Sequence, residues 1–376
     1  MNRSNQYERY QRQILLTELG EAGQQKLLTA KVLVIGAGGL GCPALQYLTA
    51  AGFGTIGILD FDVVEITNLQ RQVLYTVNDL GKSKAITAAA KLSALNPEIQ
   101  IDVYNVQLTN KNALSIIANY DVVIDGSDNY ATRYLVNDVC SLLNIPLVYG
   151  AVFRFEGQVA VFNLEDPSNG IKTNYRDLFL HPPDPASSPS CNEAGVLGVL
   201  PGLIGTMQAT EAIKLITGIG RPLHNRLLSY NVLENSMYEF LISPGNSSNQ
   251  FIPKDKLSIE GFDYEWFCTA TFGSEISPEE FDIVRANEPL TIIDVREKDE
   301  VPVIDELPAL QIPLTAIQNW KPKESVNSKI VVFCQSGRRS LQATRTLKTI
   351  FPEADVRSLK GGIETWLKKQ EKYRYE

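Results

Sequence analysis

Short apolar runs alternate with stretches of helical periodicity through the first part of the chain. The runs predicted to be strands are Lys31–Ile35, Gly57–Asp60, Ile99–Tyr104, Val122–Asp125 and Pro146–Tyr149. The segments predicted to be helices between them are Leu40–Ala51, Lys82–Leu95, Asn110–Ile117 and Tyr130–Leu143. This alternation is typical of a parallel sheet with crossover helices. From Val152 to Phe162, adjacent short strands indicate the antiparallel end of a mixed sheet.

A turn-rich segment, Ser243–Gln250, separates this pattern from a second, smaller α/β pattern. The second pattern begins with a capped helix start at Ser277-Pro278-Glu279-Glu280 and contains a β-branched strand at Lys329–Phe333. We therefore predict a Rossmann-like domain with a mixed, mostly parallel sheet and a small α/β domain, joined by a linker. The three parts are residues 1–245, the linker 246–275 and residues 276–376.

Composition and charge narrow the class of protein. The chain has 376 residues, of which 44% are apolar and 21% charged, and its formal net charge is −8. These values are ordinary for a globular protein and give no sign of a nucleic-acid or anionic-membrane partner. Met1–Leu16 has alternating charge and no apolar core, so we expect no signal peptide. The most apolar stretch, Val196–Ile216, contains Pro201, Glu211 and Lys214 and predicts a buried helix rather than a membrane span.

The cysteines indicate a reducing compartment, and we predict a cytoplasmic protein. There are five of them, an odd number, and they are widely scattered, which argues against a disulfide framework. We expect Cys42 and Cys140 to be core residues, and Cys268 lies in the linker. Cys191 and Cys334 belong to candidate reactive sites.

A glycine-rich loop follows the first strand and opens the first predicted helix of the sheet. Its glycines are Gly36, Gly38, Gly39 and Gly41, and Asp60 ends the next strand. Glycines allow a tight turn and a close approach of backbone N–H groups to a ligand, while the strand-end carboxylate can bind ribose hydroxyls. This pattern alone predicts a nucleotide site, and an NAD(P)-linked oxidoreductase would also fit it.

Charged residues beyond this loop favour a triphosphate. Asn68 and Arg71 lie in Asn68-Leu69-Gln70-Arg71-Gln72, and Lys84 ends Gly81-Lys82-Ser83-Lys84. Several cations offset the charge of a triphosphate, and each charge-assisted contact is worth roughly 1.5–3 kcal/mol. Asp128 follows the strand that ends at Asp125, and a carboxylate facing phosphates would be repulsive unless it held Mg²⁺.

Seven motifs stand in one order along the chain: Arg9–Gln13 (RYQRQ), the GAGGLG loop, LDFD, NLQRQ, GKSK, DGSDN and Cys191–Gly195 (CNEAG). Together they resemble the MoeB/ThiF family, the bacterial relatives of the ubiquitin-activating enzymes. The resemblance spans residues 7–242.

The resemblance implies a role for each of these site residues. The glycine loop and Asp60 would hold the adenosine of ATP, Arg71 and Lys84 would bind its phosphates beside Asn68, and Asp128 would bind Mg²⁺. Arg12 would reach into the partner subunit's site, which implies a homodimer. The implied reaction is attack by the C-terminal glycine carboxylate of a ubiquitin-like sulfur carrier, MoaD- or ThiS-like and ending in Gly-Gly, on the α-phosphorus of ATP. A carboxylate needs no general base, so catalysis would rest on positioning and charge neutralisation.

Cys191 ends a proline-rich segment that begins near Lys172 and has no periodicity. In the MoeB/ThiF family this crossover loop can close over the adenylate, and a cysteine there can form a covalent link to the carrier. A buried structural cysteine is the alternative, and both interpretations stay open.

Cys334 begins a second candidate site. The strand Lys329–Phe333 ends at a loop whose residues are Cys334, Gln335, Ser336, Gly337, Arg338 and Arg339. Loop N–H groups at a helix N-terminus and two arginines favour the thiolate and would also stabilise a persulfide anion. This loop, with Ile293–Glu297 upstream and Lys360–Ile363 downstream, resembles a single-domain rhodanese over residues 277–370. Val301–Ala309 departs from that family's pattern.

A further departure concerns zinc. Many MoeB/ThiF members carry two CxxC pairs, but this chain has Asn174–Asp177 and Asn246–Asn249 at the matching places. All four thiolates are absent, so we predict no structural zinc.

Together the two halves predict adenylation of a sulfur carrier followed by sulfur transfer from Cys334 to give a thiocarboxylate, for molybdopterin or thiamine biosynthesis. The sulfur donor would be thiosulfate or a cysteine desulfurase. The alternatives are a scaffold that binds the carrier without activating it, suggested by the lost zinc ligands, and, with less support, the NAD(P)-linked oxidoreductase.

Overall fold

The structure is a computed structural model that describes residues 3–180, 182, 195–245, 252–269, 275–302, 304, 306–320, 326–351 and 353–374. The chain forms two compact units, Met1–Tyr264 and Glu265–Glu376. Among the described residues, none of the helices combines the length and apolar character that crossing a bilayer requires.

The first unit is built on an eight-stranded sheet in the order β3-β2-β1-β4-β5-β6-β7-β8. Its strands are β1 Lys31–Ile35, β2 Thr55–Leu59, β3 Gln100–Tyr104, β4 Val122–Asp125, β5 Leu147–Phe153, β6 Glu156–Phe162, β7 Arg226–Asn231 and β8 Ser236–Leu241. Strands β1 to β5 pair in parallel, and β5 to β8 pair antiparallel. The predicted mixed, mostly parallel sheet is confirmed.

Helices lie between and beside these strands. They are α1 Arg3–Ile14, α2 Gly20–Thr29, α3 Gly41–Ala51, α4 Lys84–Leu95, α5 Ala113–Ile117, α6 Tyr130–Leu143, α7 Tyr175–Leu178, α8 Val199–Thr217 and α9 Lys256–Gly261. Two short 3₁₀ turns, Ile66–Asn68 and Val77–Asp79, lie between β2 and α4. Helix α4 begins two residues later than predicted because the side chain of Ser83 accepts a hydrogen bond from Ile86 N and caps it.

The apolar segment near residue 200 forms the buried helix α8. Leu200, Ile204 and Ala212 pack into the core that also contains β1 and α3. The approach is close at Gly205, where a Cβ would lie 2.1 Å from the carbonyl oxygen of Leu40. Glycine is therefore required where α8 crosses the start of α3, directly beneath the glycine loop.

Residues 256–264, part of the predicted linker, contact the rest of the first unit. The amide of Asn110 donates to the carbonyl oxygens of Glu260 and Phe262 at 2.8 and 3.1 Å. The hydroxyl of Tyr264 donates to Asp138 at 3.0 Å, and Asp138 forms a two-pronged pair with Arg176 at 2.7 and 2.8 Å. Both side chains of that pair are fully buried. This cluster joins α6, α7 and the segment after α9.

The second unit carries a five-stranded parallel sheet in the order β11-β10-β12-β13-β9. Its strands are β9 Glu275–Ile276, β10 Thr291–Asp294, β11 Ala309–Gln311, β12 Lys329–Phe333 and β13 Asp355–Leu359. Its helices are α10 Tyr264–Thr269, which begins at the last residue of the first unit, α11 Pro278–Asn287, α12 Arg338–Ile350 and α13 Gly362–Arg374, with a 3₁₀ turn at Leu314–Asn319. Buried side chains cover both faces of this sheet, as expected for parallel strands.

Candidate functional site

The glycine loop turns sharply between β1 and α3. Gly36 has φ = +89°, and a Cβ there would lie 2.8 Å from the carbonyl oxygen of Gly126. A Cβ on Gly41 would lie 1.9 Å from the carbonyl oxygen of Gly36. The loop therefore excludes side chains at both positions, and it lies against the loop that follows β4. The thiol of Cys42 donates to Ala37 O at 3.3 Å below it, and burial raises the pKa of that thiol to about 12.

Asp60 holds this loop in place. Its two carboxylate oxygens accept hydrogen bonds from the backbone N–H groups of Ala37 at 2.7 Å and Asp62 at 2.8 Å. The side chain is buried, and burial raises its pKa, an effect that the charge of Lys84 opposes. Asp60 thus links the ends of β1 and β2 at the edge of the sheet where the glycine loop lies.

Lys84 is buried at the first position of α4. Its Nζ donates to Asp62 at 2.9 Å, and 7% of its side chain is exposed. The hydroxyl of Tyr75 lies 2.8 Å from Ala37 O and 3.2 Å from Lys84 O. Tyr75 therefore connects the glycine loop with the start of α4. Sequence reasoning missed Tyr75, which carries no motif signal, and did not assign a role to Asp62 within the LDFD motif.

Asn68 is the last residue of the first 3₁₀ turn, and Arg71 follows that turn. Asn68 is buried and accepts a hydrogen bond from Glu65 N at 3.1 Å. Arg71 donates to Thr67 O at 3.1 Å, and its aliphatic carbons lie 3.5 Å from the position a Cβ on Gly39 would occupy. The structure thus brings Arg71 to the glycine loop.

The loop after β4 borders the glycine loop. Asp125 is buried, accepts hydrogen bonds from the N–H and hydroxyl of Ser127 at 2.9 and 2.6 Å, and has a pKa that burial raises. Arg133 donates to Ser127 O at 3.0 Å and so braces the same loop. Asp128, which follows, is exposed. Its exposure leaves the carboxylate accessible to a ligand.

Asp128 fits a magnesium ion that is shared with phosphates. Among the described residues, no three His, Cys, Asp or Glu side chains group to hold a metal by themselves. Magnesium bound with a nucleotide requires only one or two carboxylates, because phosphates and water complete its shell. A single accessible carboxylate beside the glycine loop meets that requirement.

Arg12 is not brought to the glycine loop of its own chain. It is exposed on α1, whose Gln13 donates to Ala51 O at 2.9 Å and whose Tyr10 hydroxyl accepts from Asn96 at 2.8 Å. Ala51 ends α3, an eleven-residue helix that spans about 16 Å from the glycine loop. Within one chain, α1 is therefore anchored at the opposite end of α3.

Two other sequence expectations concern the crossover segment. Cys191 lies outside the described residues. At the place where many relatives have a CxxC pair, Asp177 accepts hydrogen bonds from the N–H and amide of Asn174 at 2.8 and 2.7 Å and from Gly245 N at 2.6 Å. These groups are engaged with one another and do not fit a closed zinc site; the segment 246–249 lies outside the described residues. The absence of zinc stays a prediction.

The second site is the loop after β12. The Sγ of Cys334 accepts hydrogen bonds from Gly337 N at 3.2 Å and from the hydroxyl of Ser340 at 3.5 Å. Gly337 has φ = +92°, a conformation that favours glycine, and α12 begins immediately after it. The first N–H groups of a helix have no partner within that helix, so they are available to an anion at Cys334.

Arg296, after β10, and Glu364, on α13, make hydrogen bonds with this loop. Arg296 pairs with Asp294 at 2.7 Å and donates to the carbonyl oxygen of Pro302 at 3.0 Å and to Gln335 at 3.4 Å. Gln335 in turn donates to Glu364 at 2.9 Å. The start of α13 therefore contacts the loop Cys334–Arg339, which we call the persulfide loop.

Two family profiles match the chain over these two sites. The profile of the ThiF family matches residues 10–250. The chain belongs to the ThiF family. The profile of the rhodanese-like domain matches residues 277–369. The chain thus joins a ThiF domain to a rhodanese-like domain.

Curated relatives match this chain over nearly all of its length or over about two thirds of it. Probable adenylyltransferase/sulfurtransferase MoeZ of Mycobacterium tuberculosis is 42% identical over 96% of this chain and 93% of its own length. Adenylyltransferase and sulfurtransferase MOCS3 of Aedes aegypti is 37% identical over 96% of this chain and 87% of its own length. Sulfur carrier protein adenylyltransferase of Thermus thermophilus is 48% identical over 69% of this chain and 96% of its own length.

Solved structures share the fold of the ThiF domain at low identity. E. coli MccB with MccA superposes with a TM-score of 0.55 at 21% identity, covering 65% of this chain and 73% of that one. PaaA superposes with a TM-score of 0.54 at 21% identity, covering 64% and 75%. At this identity the likeness shows the fold alone.

Proposed function

We propose that this enzyme adenylates the C-terminal glycine of a ubiquitin-like sulfur-carrier protein in its ThiF domain and transfers sulfur from Cys334 of its rhodanese-like domain. The observation that carries the proposal is the pairing of a glycine loop, bordered by Lys84 and Arg71, with a separate unit that places a cysteine at a helix N-terminus. Relatives that are named for both activities span nearly the whole chain.

In the first reaction, a carboxylate oxygen of the carrier attacks the α-phosphorus of ATP, and the bond to the β-phosphate breaks to release pyrophosphate. Lys84 and Arg71 would offset the charge that develops on the phosphates, since both border the loop. Asp128 would bind Mg²⁺ with the phosphates. No side chain needs to remove a proton, because the attacking group is already ionised at neutral pH.

In the second reaction, the Cys334 thiolate takes a sulfur atom from a donor such as thiosulfate, which leaves as sulfite, or from a cysteine desulfurase persulfide. The outer persulfide sulfur then attacks the carrier's acyl carbon, and AMP leaves. A second thiol attacks the Cys334 sulfur of the resulting acyl disulfide, releasing the thiocarboxylate. A thiol reductant returns the disulfide to two thiols. The products suit molybdopterin or thiamine biosynthesis.

The two cations of the phosphate site argue against the scaffold alternative, because Lys84 and Arg71 both border the glycine loop. Membership of the ThiF family argues against the NAD(P)-linked oxidoreductase. We also propose a homodimer, in which Arg12 completes the partner subunit's site, and a cytoplasmic location.

Carrier-dependent exchange of labelled pyrophosphate into ATP tests the first reaction, with candidate carriers that end in Gly-Gly compared side by side. We expect exchange with one carrier and none without it. ATP binding without exchange for any carrier of either pathway would favour the scaffold.

The variant Cys334→Ala tests the second reaction. We expect it to keep pyrophosphate exchange and to lose thiocarboxylate formation, measured by the mass of the carrier. The matched control is Cys268→Ala, since Cys268 lies in the same unit, and it should keep both activities. Sulfur transfer by Cys334→Ala would contradict the assignment.

A further inference from the structure

Glu300 pairs with Arg339 of the persulfide loop and lies directly before Val301–Ala309, the segment that departs from the rhodanese pattern. Its Oε2 accepts a hydrogen bond from Nη2 of Arg339 at 2.6 Å, and its Oε1 accepts one from Nη1 at 2.5 Å. Oε1 also accepts a hydrogen bond from Glu297 N at 2.8 Å. The guanidinium of Arg339 is therefore held at both of these nitrogens, a geometry that restricts its orientation.

Arg339 lies at the start of α12, in the stretch of chain that holds the sulfur of Cys334. Gly337, two residues before Arg339, donates its N–H to Cys334 Sγ at 3.2 Å, and Ser340, the next residue, donates its hydroxyl to the same sulfur at 3.5 Å. The hydrogen bond from Arg339 lowers the pKa of Glu300 to about 2, so this carboxylate is ionised at neutral pH. Glu300 is thus paired with a cation on the helix start that holds the reacting sulfur.

We propose that Glu300 is a positioning residue for sulfur transfer, whose carboxylate orients the Arg339 guanidinium toward the Cys334 sulfur and thereby favours the thiolate and persulfide anions. The proposal deepens the sulfur transfer assigned above and rests on it. Nothing in the sequence pattern indicates Glu300, because it precedes the stretch that replaces the family motif and lies 39 residues from its partner.

A simple charge effect predicts the opposite sign. A carboxylate near a thiol disfavours the thiolate, so removing it should make the cysteine more reactive at low pH. A positioning role predicts that removing it makes the cysteine less reactive, since Arg339 is then free to turn away. The sign of the change therefore separates the two effects.

The experiment is the pH dependence of alkylation of Cys334 by iodoacetamide in the full-length protein, followed by the mass of the peptide that contains it. For Glu300→Gln we expect the midpoint to move to higher pH and the rate below it to fall on the order of threefold to tenfold. Glu297→Gln is the matched control, because its exposed side chain carries the same charge in the same segment. It should leave the midpoint unchanged.

A midpoint that stays or moves to lower pH in Glu300→Gln overturns the proposal. A second test uses Arg339→Gln, in which the addition of Glu300→Gln should have no further effect, since Glu300 acts through Arg339. An undiminished effect of Glu300→Gln in that background also overturns it. Alkylation needs no sulfur donor, so failure of the wild-type protein to form a persulfide would count against the proposed function and not against Glu300.

Discussion

Lys84 shows at the residue scale how the phosphate site keeps a buried charge. The lysine is 6% exposed, yet its Nζ meets the carboxylate of Asp62, and Asp60 lies close enough for the lysine charge to oppose the rise of its pKa. A buried ammonium without such partners would be neutralised or expelled. The acidic residues of the LDFD motif therefore hold the cation in place before any phosphate arrives.

We expect Asp128→Asn to lose pyrophosphate exchange at ordinary Mg²⁺, because an amide is a weaker magnesium ligand than a carboxylate. The measurement is exchange as a function of Mg²⁺ concentration, and excess Mg²⁺ should restore part of the activity. Asp121→Asn is the control, since Asp121 lies just before the same strand and binds Lys31 N at 2.8 Å. Full exchange by Asp128→Asn at low Mg²⁺ would refute the metal role.

At the scale of elements, polar contacts join segments that the sheet does not pair. Asp79 of the second 3₁₀ turn accepts hydrogen bonds from Thr76 N at 2.8 Å and from Lys91 of α4. The buried pair of Asp138 and Arg176 joins α6 to α7 in the same way. The first contact fixes the turn that precedes α4, the helix that begins at Lys84. The second fixes α7, which precedes the crossover loop.

The contact of Asp79 predicts a pH dependence of stability. The hydrogen bond from Lys91 lowers the pKa of Asp79 from 3.8 to about 2. The folded state therefore binds a proton more weakly than the unfolded state, and the stabilisation is present above pH 3.8 and is lost as the pH falls toward 2. Asp79→Asn should lower the urea midpoint at pH 7, and its difference from the wild type should narrow below pH 4. A constant difference would refute the assignment.

Asp138→Asn should destabilise the ThiF domain strongly. It leaves the guanidinium of Arg176 buried without its counter-charge, which costs about 3–5 kcal/mol in comparable pairs. Urea unfolding followed by the alkylation of Cys140, which is fully buried on α6 of the same domain, measures the loss. The double variant Asp138→Leu with Arg176→Met is the control, because removing both charges should cost less than removing one. An Asp138→Asn variant as stable as the wild type would contradict a charged pair.

At the scale of the molecule, the two units differ in where the residues of their sites come from. The ThiF domain places Arg12 at the end of α3 opposite its own glycine loop, so an active site that uses Arg12 requires a second chain. In the rhodanese-like domain, the hydrogen bonds that Cys334 accepts from Gly337 and Ser340 come from within the same unit.

Mixing two inactive variants tests the shared site. Arg12→Ala and Lys84→Ala should each lose pyrophosphate exchange. After subunit exchange their mixture should regain about a quarter of wild-type activity, because half of the dimers are mixed and each mixed dimer holds one complete site. Mixed dimers that form, as shown by two affinity tags, but stay inactive would contradict the role of Arg12. A fully active monomer would contradict it as well.

Local patterns in the sequence predict most strands of both sheets and the motif residues that lie beside them. The apolar runs of β1, β4 and β12 and the glycine loop are local signals, because burial on a sheet and tight turns depend on neighbouring residues. The order of the motifs likewise predicted the ThiF and rhodanese-like families.

The side chains that support these sites from distant positions in the chain are visible in the folded structure alone. Glu300 meets Arg339 across 39 residues, Arg176 meets Asp138 across 38, and Tyr75 reaches Ala37 across 38. No periodicity records such pairs, since each depends on the register and packing of separate elements. The tertiary structure also assigned residues 256–264 to the first unit, because their hydrogen-bond partners lie on α6 and on the loop before α5.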